Sequence, residues 1–226
     1  MKKHLEVLKA APLFAQIEPD ELTALLGCLG AMVKSYQKDE TVMLAGDPVS
    51  HIGLVLQGSV QVFKEDFSGN RNMLARIGRG ELFAEAFVCI GVPRLPVTVV
   101  ADADTEVLFI DFRRIITRCS AACDYHSQLV ENMLRLMAQK NMAMNEKVSC
   151  IGHRTTREKV EAFLTLQAER IGQNPFEIAF SRAEMADYLC VDRSALSAVL
   201  ARMQKEGVLR YRKNRFELLG RAWKQA

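Results

Sequence analysis

No apolar run in this 226-residue chain reaches the roughly 18 residues that a membrane-spanning helix needs. The opening "MKKHLEVLKAAPLF" is too broken by charge for the apolar centre of a signal peptide, so a cytoplasmic protein with no membrane partner is expected. The six cysteines, Cys28, Cys89, Cys119, Cys123, Cys150 and Cys190, are scattered, without the short spacings of a secreted disulfide scaffold, which predicts reduced thiols. There is no nucleophile motif, zinc-ligand spacing or phosphate-binding glycine loop. The four histidines, His4, His51, His126 and His153, have no carboxylate spacing suited to general-base work. Neither catalysis nor a metal site is expected.

What is present is 49% hydrophobic residues, enough for one large or two ordinary domains, and an uneven charge. Residues 1–151 carry 16 Lys and Arg against 18 Asp and Glu, whereas residues 152–226 carry 14 against nine. A net +5 on the last third beside −2 on the remainder is the asymmetry of a chain whose end meets a polyanion.

Residues 31–110 read as β-structure, with short apolar runs punctuated by turn residues. "LVLQGSVQVF" predicts a hairpin that turns through Gln57-Gly58-Ser59, and "DFSGNRNML" a second that turns at Ser68-Gly69-Asn70. Two short amphipathic segments, around residues 4–11 and 20–29, precede them. From about Asp111 the period becomes helical and no Pro or Gly intervenes until Gly152. Residues 122–151 are expected to form one helix of about 45 Å, longer than a small barrel can cover. Val130, Met133, Met137, Met144, Val148 and Ile151 form its stripe, with a polar gap at Lys140 and Asn141, and Leu129, Leu134 and Leu136 broaden it. Such a seam predicts a parallel dimer.

Beyond "CIGHRTTREK", "REKVEAFLTLQAERIG" reads as a helix and "FEIAF" as a short strand. Ser181 with Glu184 three residues on makes a capping box, opening a helix that runs to about Leu189. A tight Cys-Val-Asp turn follows, and Asp192 caps a second helix with Ala195, Leu196, Val199, Leu200 and Met203 turned inward. This is helix-turn-helix spacing, with Arg193, Ser194 and Ser197 near the end that meets base edges. "VLRYRKNRFEL" is a strand, a Lys213-Asn214 turn and a strand. With Arg182, Arg202 and Lys205, the residues Arg210, Arg212, Lys213 and Arg215 are candidates to neutralise phosphates of double-stranded DNA.

Barrel, long helix and winged helix-turn-helix, in that order, resemble the CRP/FNR family of bacterial transcription regulators. The marks are "AGDP" at 45–48, "LQGSVQV" at 56–62, "GELFAEAF" at 80–87, "VVADADTEVLFI" at 99–110 and the motif from Ser181. The resemblance implies an α+β chain: a cyclic-nucleotide-binding-type β jelly-roll barrel sensing an effector (1–120), a dimerisation helix (121–151) and a winged helix-turn-helix DNA-binding domain (152–226). It implies a homodimer on a two-fold symmetric operator, with RNA polymerase as a further partner. Members that read G·C pairs through Glu-x-x-x-Arg would place those residues at Ser194 and Ala198; both are replaced, so a different operator is expected.

The same resemblance gives an effector pocket of Phe83, Glu85, Arg94, Leu95 and Thr98. Glu85 matches the family's ribose-binding Glu, but Ala84 stands for the preceding glycine and Leu95 for the phosphate-binding Arg. Arg94 is one residue off, which in a strand turns it to the opposite face, and Pro96 has no N–H to donate. cAMP control is therefore not expected, although an insertion in the Val92-Pro93 turn would restore the register. An oxygen-sensing iron–sulfur cluster needs several N-terminal cysteines, and before residue 80 there is only Cys28. A small apolar or aromatic acid, a haem on one of the four histidines, and thiol redox through Cys119, Cys123 and Cys150 stay open. The alternative reading is a ligand-binding module, for cAMP or haem, whose C-terminal domain serves protein contacts.

Overall fold

A computed structural model of the protein describes residues 4–65, 71–117 and 125–219. The chain divides into two compact units, residues 1–138 and 139–226, and the division falls within one long helix.

The first unit opens with helix α1 (Leu5–Ala10), a 3-10 turn at Pro12–Phe14 and α2 (Pro19–Cys28), which starts with Pro19 in its first turn, where a missing N–H costs nothing. Eight strands follow: β1 (Met32–Tyr36), β2 (Thr41–Met43), β3 (His51–Gln57), β4 (Val60–Glu65), β5 (Arg71–Ile77), β6 (Leu82–Phe83), β7 (Thr98–Ala101) and β8 (Thr105–Asp111). Helix α3 (Glu85–Ile90) lies between β6 and β7, and α4 (Phe112–Ile116) follows β8. The strands form two antiparallel sheets, β1-β8-β3-β6 and β2-β7-β4-β5, the two-sheet arrangement of a jelly roll.

Residues Ile52 to Leu56 of β3 are all buried because both faces of the strand are covered. Ile52, Leu54 and Leu56 pack with Leu8, Phe14, Leu22 and Leu26 of the N-terminal helices, and each such side chain contributes about 1.5–3 kcal/mol. Val55 points the other way, joining Phe83, Val107 and Phe109 of its own sheet with Val60 and Val99 of the other. The hairpin expected at Gln57-Gly58-Ser59 is therefore a corner: β3 and β4 belong to different sheets. Gly58, at φ +77°, makes the turn, and a Cβ there would lie 2.5 Å from the Asp104 carbonyl oxygen. The Thr105 hydroxyl donates to the Ser59 carbonyl at 3.0 Å and holds the corner. β4 and β5 do pair, but the turn expected at Ser68-Gly69-Asn70 lies outside the described residues.

The long helix α5 spans Tyr125–Ile151, so residues 122–124 of the expected helix lie outside the described residues. The single stripe expected on it splits. Leu129 and Met133 are buried in the helix-side core, and Val130, Leu136 and Met137 pack against that core. Buried Asn132 donates from Nδ2 to the carbonyls of Leu13 (3.0 Å) and Ala15 (2.8 Å). Met144 and Val148 are exposed, as is Leu134, which lies about one turn from Val130. Met133 is thus part of the barrel's own core, and Leu134 takes its place on the uncovered side.

In the second unit, α6 (Thr156–Ile171), β9 (Phe176–Glu177), α7 (Arg182–Tyr188), α8 (Arg193–Lys205), β10 (Leu209–Arg212) and β11 (Arg215–Leu218) enclose a core of Phe163, Leu164, Met185, Leu196, Leu200 and Phe216. Capping boxes at Thr155/Glu158 and Ser181/Glu184 start α6 and α7. The strand expected over Phe176–Phe180 is only two residues long. Its partner β11 begins at Arg215, opposite Glu177, and beyond that point Asn214 takes over both the N–H and the carbonyl of Ile178.

Candidate nucleic-acid interface and effector cavity

Between α7 and α8 the chain turns in four residues, Leu189 to Asp192, with Cys190 in the left-handed region at φ 51°. Asp192 then caps α8, accepting the backbone N–H of Ser194 at 2.8 Å. Leu196, Leu200 and Met203 face the core, which leaves Arg193, Ser197, Ala201 and Lys205 exposed at successive four-residue steps. The Arg193 guanidinium makes no hydrogen bond or ion pair among the described residues. The two serines are already engaged. Ser194 Oγ donates to Asp192 Oδ1 at 2.6 Å, and Ser197 Oγ donates to the Arg193 carbonyl at 2.9 Å. With their protons committed to the helix, both hydroxyls present only acceptor capacity outward.

The seven candidate phosphate cations fall into three groups. Arg182 is not a free surface cation: its guanidinium lies 5.2 Å from the Tyr211 ring and 5.6 Å from the Phe216 ring, and donates to the Lys213 carbonyl at 3.1 Å. Burial pulls its pKa below the ordinary arginine value. It stacks against the wing and shapes it. Arg202 and Arg210 are exposed but have acidic neighbours, Glu206 at 2.9 Å and Glu217 at 3.7 Å. Lys205, Arg212, Lys213 and Arg215 are exposed with no acidic partner among the described residues. Lys213 turns the wing tip at φ 56°.

Two supports escaped the sequence reading. Glu206 accepts from Arg157 as well as from Arg202, and Arg157 also holds Glu161 at 2.9 Å, which ties the start of α6 to the end of α8. These bonds hold the Glu206 carboxyl below its usual pKa. Gln204 Oε1 accepts the Tyr211 N–H at 3.0 Å and seats the wing on α8. The i, i+4 spacing of Arg202 and Glu206 was visible in sequence; the long-range pairs were not.

The barrel does not bring the five expected effector residues together. Phe83 is packed between the sheets, edge-on to Phe109 at 6.4 Å, and a Cβ on Gly53 would sit 2.1 Å from its ring. Ala84 holds φ 64°, a left-handed conformation that costs a residue with Cβ about 1–2 kcal/mol. Glu85 is buried in α3. Arg94 is exposed and donates to the Gly46 carbonyl at 2.7 Å, so it lines no barrel wall, while Leu95 beside it is buried. Thr98 Oγ1 accepts from the Ala45 N–H in a separate groove.

A cavity of about 230 Å³ opens beside the edge strands β1 and β2. Met32, Lys34 and Tyr36, alternate residues of β1, form one wall; Met43, Leu44 and Leu95 form another; Phe109 and the loop Asp47–His51 complete it. Lys34 Nζ is 5.7 Å from the Phe109 ring centroid, and Tyr36 meets that ring edge-on at 6.5 Å. Burial, then Glu40, raises the Tyr36 phenol pKa, so the hydroxyl stays protonated and can donate. Of the four histidines only His51 lines this cavity, and its Nδ1 is 2.9 Å from Ser50 Oγ. His4 and His126 are buried, His4 with Nε2 2.9 Å from Glu106. His153 is exposed in the other unit. Among the described residues no group of three or more ligating side chains could hold a metal ion, and no helix is long and apolar enough to cross a membrane. Cys150 is buried, and burial followed by Glu146 raises its thiol pKa, which disfavours the reactive thiolate. Cys119 and Cys123 lie outside the described residues.

Residues 33–120 match the cyclic nucleotide-binding domain family and residues 158–222 the Crp-like helix-turn-helix domain family, together about two thirds of the chain. The chain is 27% identical over 207 residues to the cyclic AMP receptor protein of Thermus thermophilus, covering 90% of each. It is 26% identical over 186 residues to the transcriptional activator protein FnrL of Cereibacter sphaeroides, covering 78% of this chain and 71% of that one. The crystal structure of the Thermus thermophilus catabolite activator protein shares the fold with a TM-score of 0.53 at 24% identity, covering 95% of this chain and 99% of that one.

Proposed function

The chain belongs to the CRP/FNR family of DNA-binding transcription regulators, and we propose that it works as a homodimer on a two-fold symmetric operator under the control of an effector other than cAMP. The observation that carries the DNA reading is the set of exposed cations without acidic partners among the described residues, Arg193 and Lys205 on α8 and Arg212, Lys213 and Arg215 on the wing. Arg193 reads a base edge; Ser194 and Ser197 accept from base or phosphate; the wing cations neutralise backbone. Residues 152–226 serve as the DNA-binding domain, 121–151 as the dimerisation helix and 1–120 as the sensor.

Four features weigh against cAMP. Arg94 is turned outward, Leu95 occupies the phosphate position, Pro96 offers no N–H, and Phe83 fills the space between the sheets. A cyclic phosphate buried there would lack its cation. The cavity beside β1 suits a compact apolar or aromatic acid instead, with Lys34 for the carboxylate, Tyr36 as donor and Met43, Leu95 and Phe109 for the apolar body. His51 in the same wall supports haem as a second reading.

The test is enrichment of bound duplexes from a randomised library by the full-length protein, followed by anisotropy titrations with and without cAMP. The expected result is a two-fold symmetric sequence bound with steep salt dependence and unmoved by cAMP. Absence of any enriched sequence overturns the operator reading, and a cAMP-driven gain of about tenfold or more overturns the effector reading. A Soret band in protein purified from its own host would replace the acid with haem.

A further inference from the structure

Two apolar faces run along α5: one is covered by the core of the first unit, and the other is uncovered at Leu134, Met144 and Val148, while its Val130 and Met137 also touch that core. Leu129, Met133 and Leu136 belong to the face packed on the core of the first unit. The other is read on the helix itself: Val130, Leu134, Met137, Asn141, Met144, Val148 and Ile151 alternate steps of four and three residues. That is a heptad seam, with Leu134, Asn141 and Val148 at a positions and Val130, Met137, Met144 and Ile151 at d positions. Its uncovered members are strongly exposed, Leu134 at 66%, Met144 at 61% and Val148 at 54%. One polar residue, Asn141, interrupts it at an a position.

We propose that Asn141 of two copies of this chain meet across the dimer's two-fold axis and hydrogen-bond each other, which fixes a parallel, in-register pairing and keeps the dimer weaker than an all-apolar seam would. The inference rests on the homodimer reading above and adds what specifies that dimer. In a parallel pair a faces a, so Asn141, the one polar seam residue between Val130 and Ile151, meets itself, and an amide carries both a donor and an acceptor. In an antiparallel pair a faces d, so Asn141 would press its amide against a methionine, leaving a polar group desolvated without a partner. The antiparallel pair also brings together the edges that carry Lys140 and Lys147, whereas the parallel one sets Lys140 against Asn145 of the second copy. The amide is already oriented: Asn145 Nδ2 donates to Asn141 Oδ1 at 2.9 Å along the helix surface. That bond leaves the Asn141 Nδ2 hydrogens to reach across the seam, and the oxygen retains a second lone pair to accept.

Sedimentation of full-length wild type, Leu134→Glu and Asn141→Leu over a concentration series tests this, with far-ultraviolet circular dichroism to verify helicity. The wild type is expected to dimerise and Leu134→Glu to stay monomeric. Asn141→Leu is expected to lower the dimer dissociation constant by about tenfold or more and to populate species larger than a dimer, because the register and oligomer constraint is gone. If Leu134→Glu loses helicity, Val148→Glu serves the same purpose. A wild type that remains monomeric removes the dimer reading and this inference together. A dimer that breaks with Leu134→Glu but is unmoved or loosened by Asn141→Leu removes only the role of Asn141. A dimer insensitive to Glu at 134 and at 148 uses another surface, and Asn141 then has no such role.

Discussion

Arg212 and Arg215 stand directly opposite each other across the wing hairpin, joined by a turn whose first residue is Lys213. Opposed like charges on adjacent strands disfavour the isolated hairpin. An anion set between them relieves that repulsion. Arg212→Ala is therefore expected to weaken binding to operator and random duplex alike, to lower the salt slope by about one, and to leave or slightly raise the melting temperature of the free protein. A salt titration on both duplexes checks the first two; selective loss on the operator alone would contradict the assignment.

Arg193 should behave oppositely. Arg193→Ala is expected to cost about 1–3 kcal/mol of discrimination at one base pair while leaving random-duplex affinity nearly unchanged. If Arg193→Ala and Arg212→Ala give the same pattern, base reading and backbone neutralisation are not divided between α8 and the wing as argued.

Ala84 is held at φ 64° immediately before α3. Ala84→Gly removes a Cβ clash worth about 1–2 kcal/mol and adds some backbone entropy to the unfolded chain, so a net gain below about 1 kcal/mol is expected. Phe83→Ala next to it should cost about 3–5 kcal/mol, since its ring fills the space between Gly53 and Phe109. Chemical denaturation of the two variants gives both signs, and a destabilised Ala84→Gly would be the contrary result.

Acid should act on the second unit through its helix caps. The Ser194 hydroxyl and N–H lower the Asp192 pKa, the Ser181 N–H lowers that of Glu184, the Thr155 N–H that of Glu158, and Arg157 that of Glu206. A carboxyl depressed in the folded state adds stability that is fully present above its unfolded pKa, about 3.9–4.3, and is lost as pH falls through the folded value. Thermal melts should thus be flat from neutrality to about pH 5 and decline below about pH 4, by a modest amount because all four carboxyls are exposed to solvent. Asp192→Asn, which keeps a capping side chain but no titrating group, should lessen that fall. An unchanged acid profile in this variant would show that Asp192 is not part of the linkage.

Local chemistry was legible and cross-chain geometry was not. The caps at Ser181 and Asp192 and the inward Leu196, Leu200 and Met203 depend on neighbours within one or two turns, so their spacing reveals them. The corner at Gly58 was misread because period-two alternation says which face a residue occupies, not which sheet receives the next strand. Leu54 and Val60 alternate as a hairpin would, yet belong to different cores. Arg182 reads as one more basic residue; only the fold sets Tyr211 and Phe216 beneath it. The cavity wall of Met32, Lys34 and Tyr36 was hidden by the lysine, whose charge breaks the apolar pattern by which an inner strand face is recognised. On α5, three- and four-residue steps fit two neighbouring faces equally well, and only burial separates Met133 from Leu134.

Gly53 and Phe83 are interlocked, and this sets the order in which the barrel could change over generations. With Phe83 in place, no side chain at position 53 fits, so substitution there is barred first. Shortening Phe83 is the opening move available: it leaves a void beside Phe109 and, in the same step, frees position 53 to vary. One substitution can thus widen the interior, whereas filling it again differently takes a second, at position 53.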